Sequence, residues 1–341
     1  YALNNLGNVF NLQSNYSKAL ESFYNALIIF NDLGENVDTA LVYGNIGITY
    51  DYLTEYSRAL EYYRKALAIY EECGKLKEAA NILNNIGLVY ELLSQHHYAI
   101  EYYDKALDYH LIYGNKQSTA VILCNRGVVY EKLAEFTQAL DNFSKALMIY
   151  DELHDINGMA TALSGIALLY SHLNNYHTAL EYNKKALTLY TELDDPFGRA
   201  LVSVNTGTVY DKMNKHESAL EYYHQALSFY MTFGKNREIC TTLNNIGKSH
   251  QFLKQYDMAL QHFEQSLEYA DNLGDIGLTA KIKGNIGCLY ANIHFDDYNP
   301  IKAQNYLNES CKIFNHLKMK KEEYESHLLL ADLFEILEQW K

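Results

Sequence analysis

The sequence is short of the residues that interrupt or staple a fold. Only two prolines, Pro196 and Pro300, occur in 341 residues, and a chain this poor in helix breakers is biased towards helix throughout. Its five cysteines, Cys73, Cys124, Cys240, Cys288 and Cys311, are far apart and show no CxxC or zinc-type spacing, which suits a reducing compartment. Long apolar runs are absent as well. None approaches the roughly 18 to 20 residues needed to cross a bilayer, and no signal peptide precedes the first repeat, so a cytoplasmic location is expected. Basic residues are outnumbered, 28 Lys and Arg against 42 Asp and Glu, for a formal net charge of −14. Nucleic-acid binding draws on clustered Lys and Arg that displace counterions, so such a partner is not expected. Neither a phosphate-binding loop, a dinucleotide fingerprint nor a nucleophile elbow occurs, and the strands those motifs require as context are missing too. The thirteen histidines include no HExxH, and His96-His97 lies at a helix joint without an acidic or cysteine partner set. No catalytic residue, metal or cofactor is therefore expected.

What remains is an ordinary globular balance, 48% hydrophobic and 21% charged, with enough apolar surface to offset the entropy of ordering. Its organisation is a forty-residue period. Gly7, Gly47, Gly87, Gly127, Ala167, Gly207, Gly247 and Gly287 form one column, and Ala19 through Ala259 a second. Ala26 through Ala226 form a third that ends with Ser266, and Phe10, Tyr50, Tyr90, Tyr130, Tyr170, Tyr210 and Tyr290 a fourth broken only by His250. Each unit carries two segments of helical period, such as Glu78 to Leu93 and His97 to Tyr113. A polar joint separates them, and glycine closes the unit at Gly34, Gly74, Gly114, Gly234 and Gly274, where a left-handed helix end is expected. Asp195-Pro196 reads as an N-cap followed by proline at the first helical position. One hairpin cannot bury its apolar stripe alone, so neighbours must stack.

Leu83, Gly87, Tyr90, Ala99, Tyr103 and Ala106 match the tetratricopeptide pattern of Leu, Gly, Tyr, Ala, aromatic and Ala. The chain resembles that family over essentially its whole length. Its longer unit and missing closing proline look like the forty-residue subclass of kinesin light chains, Pins-type adaptors and bacterial regulatory arrays. The resemblance implies an all-α, right-handed superhelical solenoid of about eight helix-turn-helix repeats, here 1–35, 36–75, 76–115, 116–155, 156–195, 196–235, 236–275 and 276–320. A terminal capping helix is expected at 321–341, and about four extra residues lengthen the joint near His294 to Asn299. Because the sequence starts at Tyr1 inside a repeat, a fragment of a larger protein is expected.

At about 100° per residue, Ile86, Gly87 and Tyr90 share the core face with Leu83, whereas Asn81, Asn85, Leu88 and Leu92 lie opposite. The resemblance implies that this opposite face lines a concave groove. Asn5, Asn45, Asn85, Asn125, Asn205, Asn245 and Asn285 form a column there, broken only by Gly165. Asparagine costs roughly 0.5 kcal/mol against alanine inside a helix, so the column calls for compensation. Two uses are open. An amide both donates and accepts, so a row of them can clamp an extended backbone, as in the similar-looking ladders of O-GlcNAc transferase and kinesin light chain. Alternatively each asparagine bonds to the adjacent helix and sets the pitch. Asp51, Glu91, Glu131 and Asp211 sit at the groove edge, either as a selector for basic ligands or as a solvated row balanced by Lys132 and Lys212. Leu88 and Leu92, with Tyr52, Val128 and Phe252, are candidates for side-chain selectivity. The expected role is a protein-interaction scaffold for an extended peptide or disordered segment, with a regulatory arm of a larger signalling protein as the alternative. In the middle of the array, Arg126 needs a partner if buried, and Asn183 stands where a core aromatic is expected.

Overall fold

Helices form wherever the forty-residue pattern places them, and the joints explain why they stop. A computed structural model describes residues 1–113, 115–317, 324 and 326–331; Gly114 and two thirds of the expected capping helix at 321–341 lie outside the described residues. The chain divides into two compact units, Tyr1–Leu169 and Tyr170–Lys341. The first contains the hairpins α1 (Ala2–Leu12) with α2 (Tyr16–Leu33), α3 (Asn36–Tyr52) with α4 (Tyr56–Glu72), α5 (Leu76–Leu92) with α6 (His96–Tyr113), and α7 (Lys116–Lys132) with α8 (Phe136–Glu152). The division falls within α9 (Ile156–His172). The second unit contains α10 (Tyr176–Glu192) and the hairpins α11 (Pro196–Lys212) with α12 (His216–Thr232), α13 (Asn236–Phe252) with α14 (Tyr256–Leu273), and α15 (Ile276–Tyr290) with α16 (Pro300–His316). No strand occurs among the described residues.

A left-handed residue recurs at the joints with or without glycine. Gly34, Gly74, Gly234 and Gly274 have φ between 61° and 70°, and so, near 56° to 61°, do Ser14, Thr54, Ser94, Ala134, Asn174, Asn214 and Lys254. At Thr54 the amide bonds Asp51 O at 2.9 Å and the next amide, Glu55 N, bonds Tyr50 O at 2.9 Å, the paired bonds that satisfy a helix's last carbonyls. The new helix then opens on a side-chain cap at several joints: Asp195 accepts from Phe197 N at 2.9 Å and Gly198 N at 3.1 Å, with Pro196 at the first position as its sequence suggested.

Small residues admit the aromatic rings. A Cβ on Gly87 would lie 2.5 Å from Tyr103 Cε1, so the ring occupies the space that glycine leaves. Tyr63, Tyr103 and Tyr223 are essentially fully buried, as are Ala59, Ala99 and Ala219. Their sequence neighbours Tyr62, Tyr102 and Tyr222 stack on Tyr50, Tyr90 and Tyr210 with centroids 5.6, 5.3 and 5.4 Å apart. Both members of each tyrosine pair are therefore packing residues.

One expectation of the helical wheel was too narrow. Leu83, Ile86 and Tyr90 are buried as expected, but so are Ile82 and Val89 towards the opposite side. The reason is position: α5 packs on α6 of its own hairpin and on α4 of the preceding one, so it buries two stripes. A strip holding Lys77, Asn81, Asn85, Leu88 and Leu92, with Asn84 beside it, stays open or half-open.

Candidate functional site

The asparagine column lies on that strip, beside the seam between successive hairpins. Asn45, Asn85 and Asn125 in the first unit, and Asn205, Asn245 and Asn285 in the second, are half-buried; Asn5, on the first helix, is exposed. The six half-buried members divide into two groups. Asn45 donates from Nδ2 to Asn4 Oδ1 at 2.8 Å, Asn125 to Asn84 Oδ1 at 3.0 Å, and Asn285 to Asn244 Oδ1 at 2.6 Å. Each bond ties one hairpin's first helix to that of the hairpin before it. The second group, Asn85, Asn205 and Asn245, forms no side-chain hydrogen bond among the described residues. Sequence explains part of the split: 41 residues before Asn85 and Asn245 stand Gly44 and Val204, which have no amide to offer. The acceptors Asn4, Asn84 and Asn244 were missed in the sequence reading, although the doublets Asn4-Asn5, Asn84-Asn85 and Asn244-Asn245 signal them.

A bonded amide is not saturated. Asn125 retains its second N–H and its carbonyl lone pairs, and the bond to Asn84 fixes which side of the amide presents them. Beside the column, Leu92 is 54% exposed, Tyr52 57% and Phe252 66%, and Leu88 is half-buried.

The acidic column is mostly occupied by internal bonds. Glu91 accepts from Lys132 Nζ at 2.8 Å and from the Tyr103 hydroxyl at 3.3 Å, and its side chain is 13% exposed. Asp211 accepts from His216 Nδ1 at 2.9 Å, the Tyr223 hydroxyl at 3.0 Å and Ser249 Oγ at 2.8 Å. Lys212, expected to balance an acid, donates to the Ser171 carbonyl at 3.4 Å. Glu131 is half-buried. Asp51 differs, because its Oδ1 is buried without a partner and burial pushes its carboxyl above the usual range.

Ser249, Asp211 and His216 have the composition of a hydrolytic triad but not its order. Nucleophilic activation needs the imidazole between carboxylate and hydroxyl, whereas here Asp211 lies between the other two and Ser249 is fully buried. Arg126 finds its partner inside the first unit: Nε donates to Asn142 Oδ1 at 2.8 Å, and the guanidinium pairs with Asp104 over the Tyr130 ring. The lengthened joint anchors itself through Phe295, buried between Tyr256 and Tyr290 at 5.9 and 5.8 Å. Among the described residues, no group of three or more His, Cys, Asp or Glu could hold a metal ion, and no helix is long and apolar enough to cross a membrane.

The sequence matches the tetratricopeptide repeat family over residues 1–72, 78–152 and 158–232, over 45–110, and again over 239–270. No curated protein matches the chain. Among solved structures, the Rap conjugation gene regulator of the plasmid pLS20, in complex with a Phr peptide, superposes with a TM-score of 0.63 at 17% identity, covering 93% of this chain and 95% of its own. A Rap protein complexed with competence and sporulation factor gives 0.59 at 15% identity, over 96% and 99%. A signal-transduction ATPase with a tetratricopeptide repeat sensor from Pyrococcus horikoshii gives 0.59 at 17%, over 97% of this chain and 52% of that one. Each shares the stacked helical hairpins described above, and with the family match spanning most of the sequence, the chain belongs to the tetratricopeptide repeat family.

Proposed function

We propose that the chain is a protein-interaction scaffold that holds extended peptide segments along the asparagine strip of each of its two units. The observation that carries this reading is a group of amides without a partner among the described residues: Asn85, Asn205 and Asn245 keep a helix-disfavoured residue on an open strip with no bond there to offset its cost. An extended backbone offers an N–H and a C=O in a spacing that an amide can meet from both its ends. Asn45, Asn125 and Asn285 align the strip through their neighbours and contribute their remaining donor and acceptor. The exposed Leu92, Tyr52 and Phe252, with Leu88, supply apolar selectivity. Because Glu91 and Asp211 are engaged internally, a preference for basic side chains rests on Asp51 and on the net charge of −14. Of the two Rap proteins superposed above, one was solved with a Phr peptide and the other with competence and sporulation factor, which supports the reading.

The test is a library of unstructured peptides screened against the full chain, followed by affinities of the best binder for two triple variants. Asn85→Ala with Asn205→Ala and Asn245→Ala should weaken binding at least about tenfold, or roughly 1.4 kcal/mol, with little change in stability. Asn45→Ala with Asn125→Ala and Asn285→Ala should lower stability by about 1 kcal/mol per broken pair. Equal affinity of the first variant and wild type, or the absence of any binder, rejects the reading.

A further inference from the structure

Two columns change together in the fifth repeat. Alanine appears in the glycine column only at Ala167, and a polar residue appears in the buried aromatic column only at Asn183. In the neighbouring repeats glycine is required because a ring lies against it, as Tyr223 does on Gly207. Without a ring that requirement lapses.

The loss of the ring leaves polar atoms stranded. Asn183 is 2% exposed, and neither its Oδ1 nor its Nδ2 has a partner. Ser171, twelve residues earlier on α9, is 1% exposed, and its Oγ is also unpartnered. In the next hairpin the same two positions hold Asp211 and Tyr223, joined by a 3.0 Å hydrogen bond; in the third they hold Glu91 and Tyr103, joined at 3.3 Å. The fifth repeat shortens both ends of this bridge. By ordinary covalent lengths an asparagine ends roughly 3 Å short of where a tyrosine hydroxyl lies, and serine is shorter than either acid. Val209, at the position from which Ser249 bonds Asp211 in the later hairpin, is buried and apolar, so it offers no substitute partner.

We propose that Ser171 and Asn183 form a closed hydration site that takes one or two waters in place of the missing phenol. The donors and acceptors balance: the amide brings two N–H groups and a carbonyl, the hydroxyl one of each, and water brings both. Two buried, unpartnered polar groups at positions that a direct bond joins in other hairpins suit a bridging water rather than an empty apolar void. A neutral guest is favoured because neither residue is charged, and Lys212, the cation beside Ser171, is engaged on its carbonyl.

A crystal structure of the full chain, at a resolution that orders internal solvent, should show density within about 2.7 to 3.2 Å of both Ser171 Oγ and Asn183. Asn183→Tyr combined with Ser171→Asp and Ala167→Gly, which rebuilds the bridge and restores the glycine that a ring in this column requires, should lose that density and melt several degrees higher. A gap closed by direct bonds from Asn183 to other protein atoms, or one found dry, overturns the proposal. If the triple variant fails to fold, magnetisation transfer from water to the Asn183 side-chain amide in the wild-type chain decides the same question: a long-lived cross-peak supports the site, and its absence overturns it.

Discussion

Asp51 in the first compact unit and Asp211 in the second occupy the same column of the repeat and have opposite surroundings. Asp211 takes three donors, from the residues 5, 12 and 38 positions later: His216, Tyr223 and Ser249. At Asp51 the residue 38 positions on is Val89, no bond reaches Oδ1, and burial raises its carboxyl pKa. A shared column thus fixes where a side chain sits, while its energetic value depends on what the next hairpin places against it. Deleting Asp211 tests this most severely. Asp211→Ala takes the shared acceptor from an imidazole and two buried hydroxyls, leaving Tyr223 to Thr208 Oγ1 and Ser249 to the Asn245 carbonyl, each at 3.2 Å, and should cost about 2 to 3 kcal/mol in urea or thermal unfolding, with hydrogen exchange placing the loss in the second unit. Were Asp211→Ala no more costly than Asp51→Ala, the contrast between the two positions would be empty.

A second pair of counterparts sharpens the contrast through pH. In the first unit Tyr24 reaches the hydroxyls of Tyr50 and Tyr62, each at 3.0 Å. In the second unit the same three columns hold His224, His250 and His262, with His250 stacked on His262 at 5.2 Å and His224 edge-on to it at 6.4 Å. His250 donates from Nδ1 to Gln255 and His262 to the Met258 carbonyl. Partial desolvation lowers the pKa of the solvent-accessible His224, with His262 and His250 adding to the effect, and burial likewise lowers that of His250. A histidine that resists protonation when folded takes its proton more readily when unfolded, so stability falls as pH drops through the ordinary value near 6.5. With His224 exposed to screening, the expected loss is on the order of 1 kcal/mol by pH 5. Replacing the three histidines with the tyrosines found at 24, 50 and 62 should flatten that slope in the second unit. His110, whose pKa burial also lowers, would still give the first unit a slope of its own, so hydrogen exchange must assign the change to its unit. A slope unaltered by the triple replacement would remove titration from the comparison.

The architecture was legible because periodicity records it repeatedly. Eight near-copies of one hairpin make the columns of glycine, alanine and tyrosine unmistakable, and the steric fit of Gly87 under Tyr103 gives them their physical cause. Surface bonds were less legible, since they join residues 38 or 41 positions apart and depend on stacking geometry that helical periodicity alone does not supply. The asparagine column was found, but not that Asn45, Asn125 and Asn285 donate across the seam. The acidic column was found, but a helical wheel places Glu91 and Asp211 at an edge, whereas the neighbouring hairpin covers them. The left-handed residues at Ser14, Thr54 and Lys254 were invisible because no glycine marks them.

The smallest effect returns to Asp51. Its folded pKa is raised, so between the ordinary carboxylate value and that raised value the native state holds the proton more firmly than the unfolded chain does. Stability from this group is therefore fully present below the ordinary value and is lost as pH rises, the reverse of a paired carboxylate. At neutral pH the protein keeps a half-buried charge with one oxygen unmet. Asp51→Asn removes the charge and keeps the shape, and should stabilise the first unit by about 0.5 to 1 kcal/mol at pH 7, with the gain shrinking towards pH 4. The same change at Asp211 should destabilise, because an amide replaces one acceptor oxygen with a donor facing three donors. Melting curves of the two variants across pH 4 to 8 would show opposite signs at neutrality; a shared sign would mean that the column, and not the neighbouring hairpin, sets the cost of the charge.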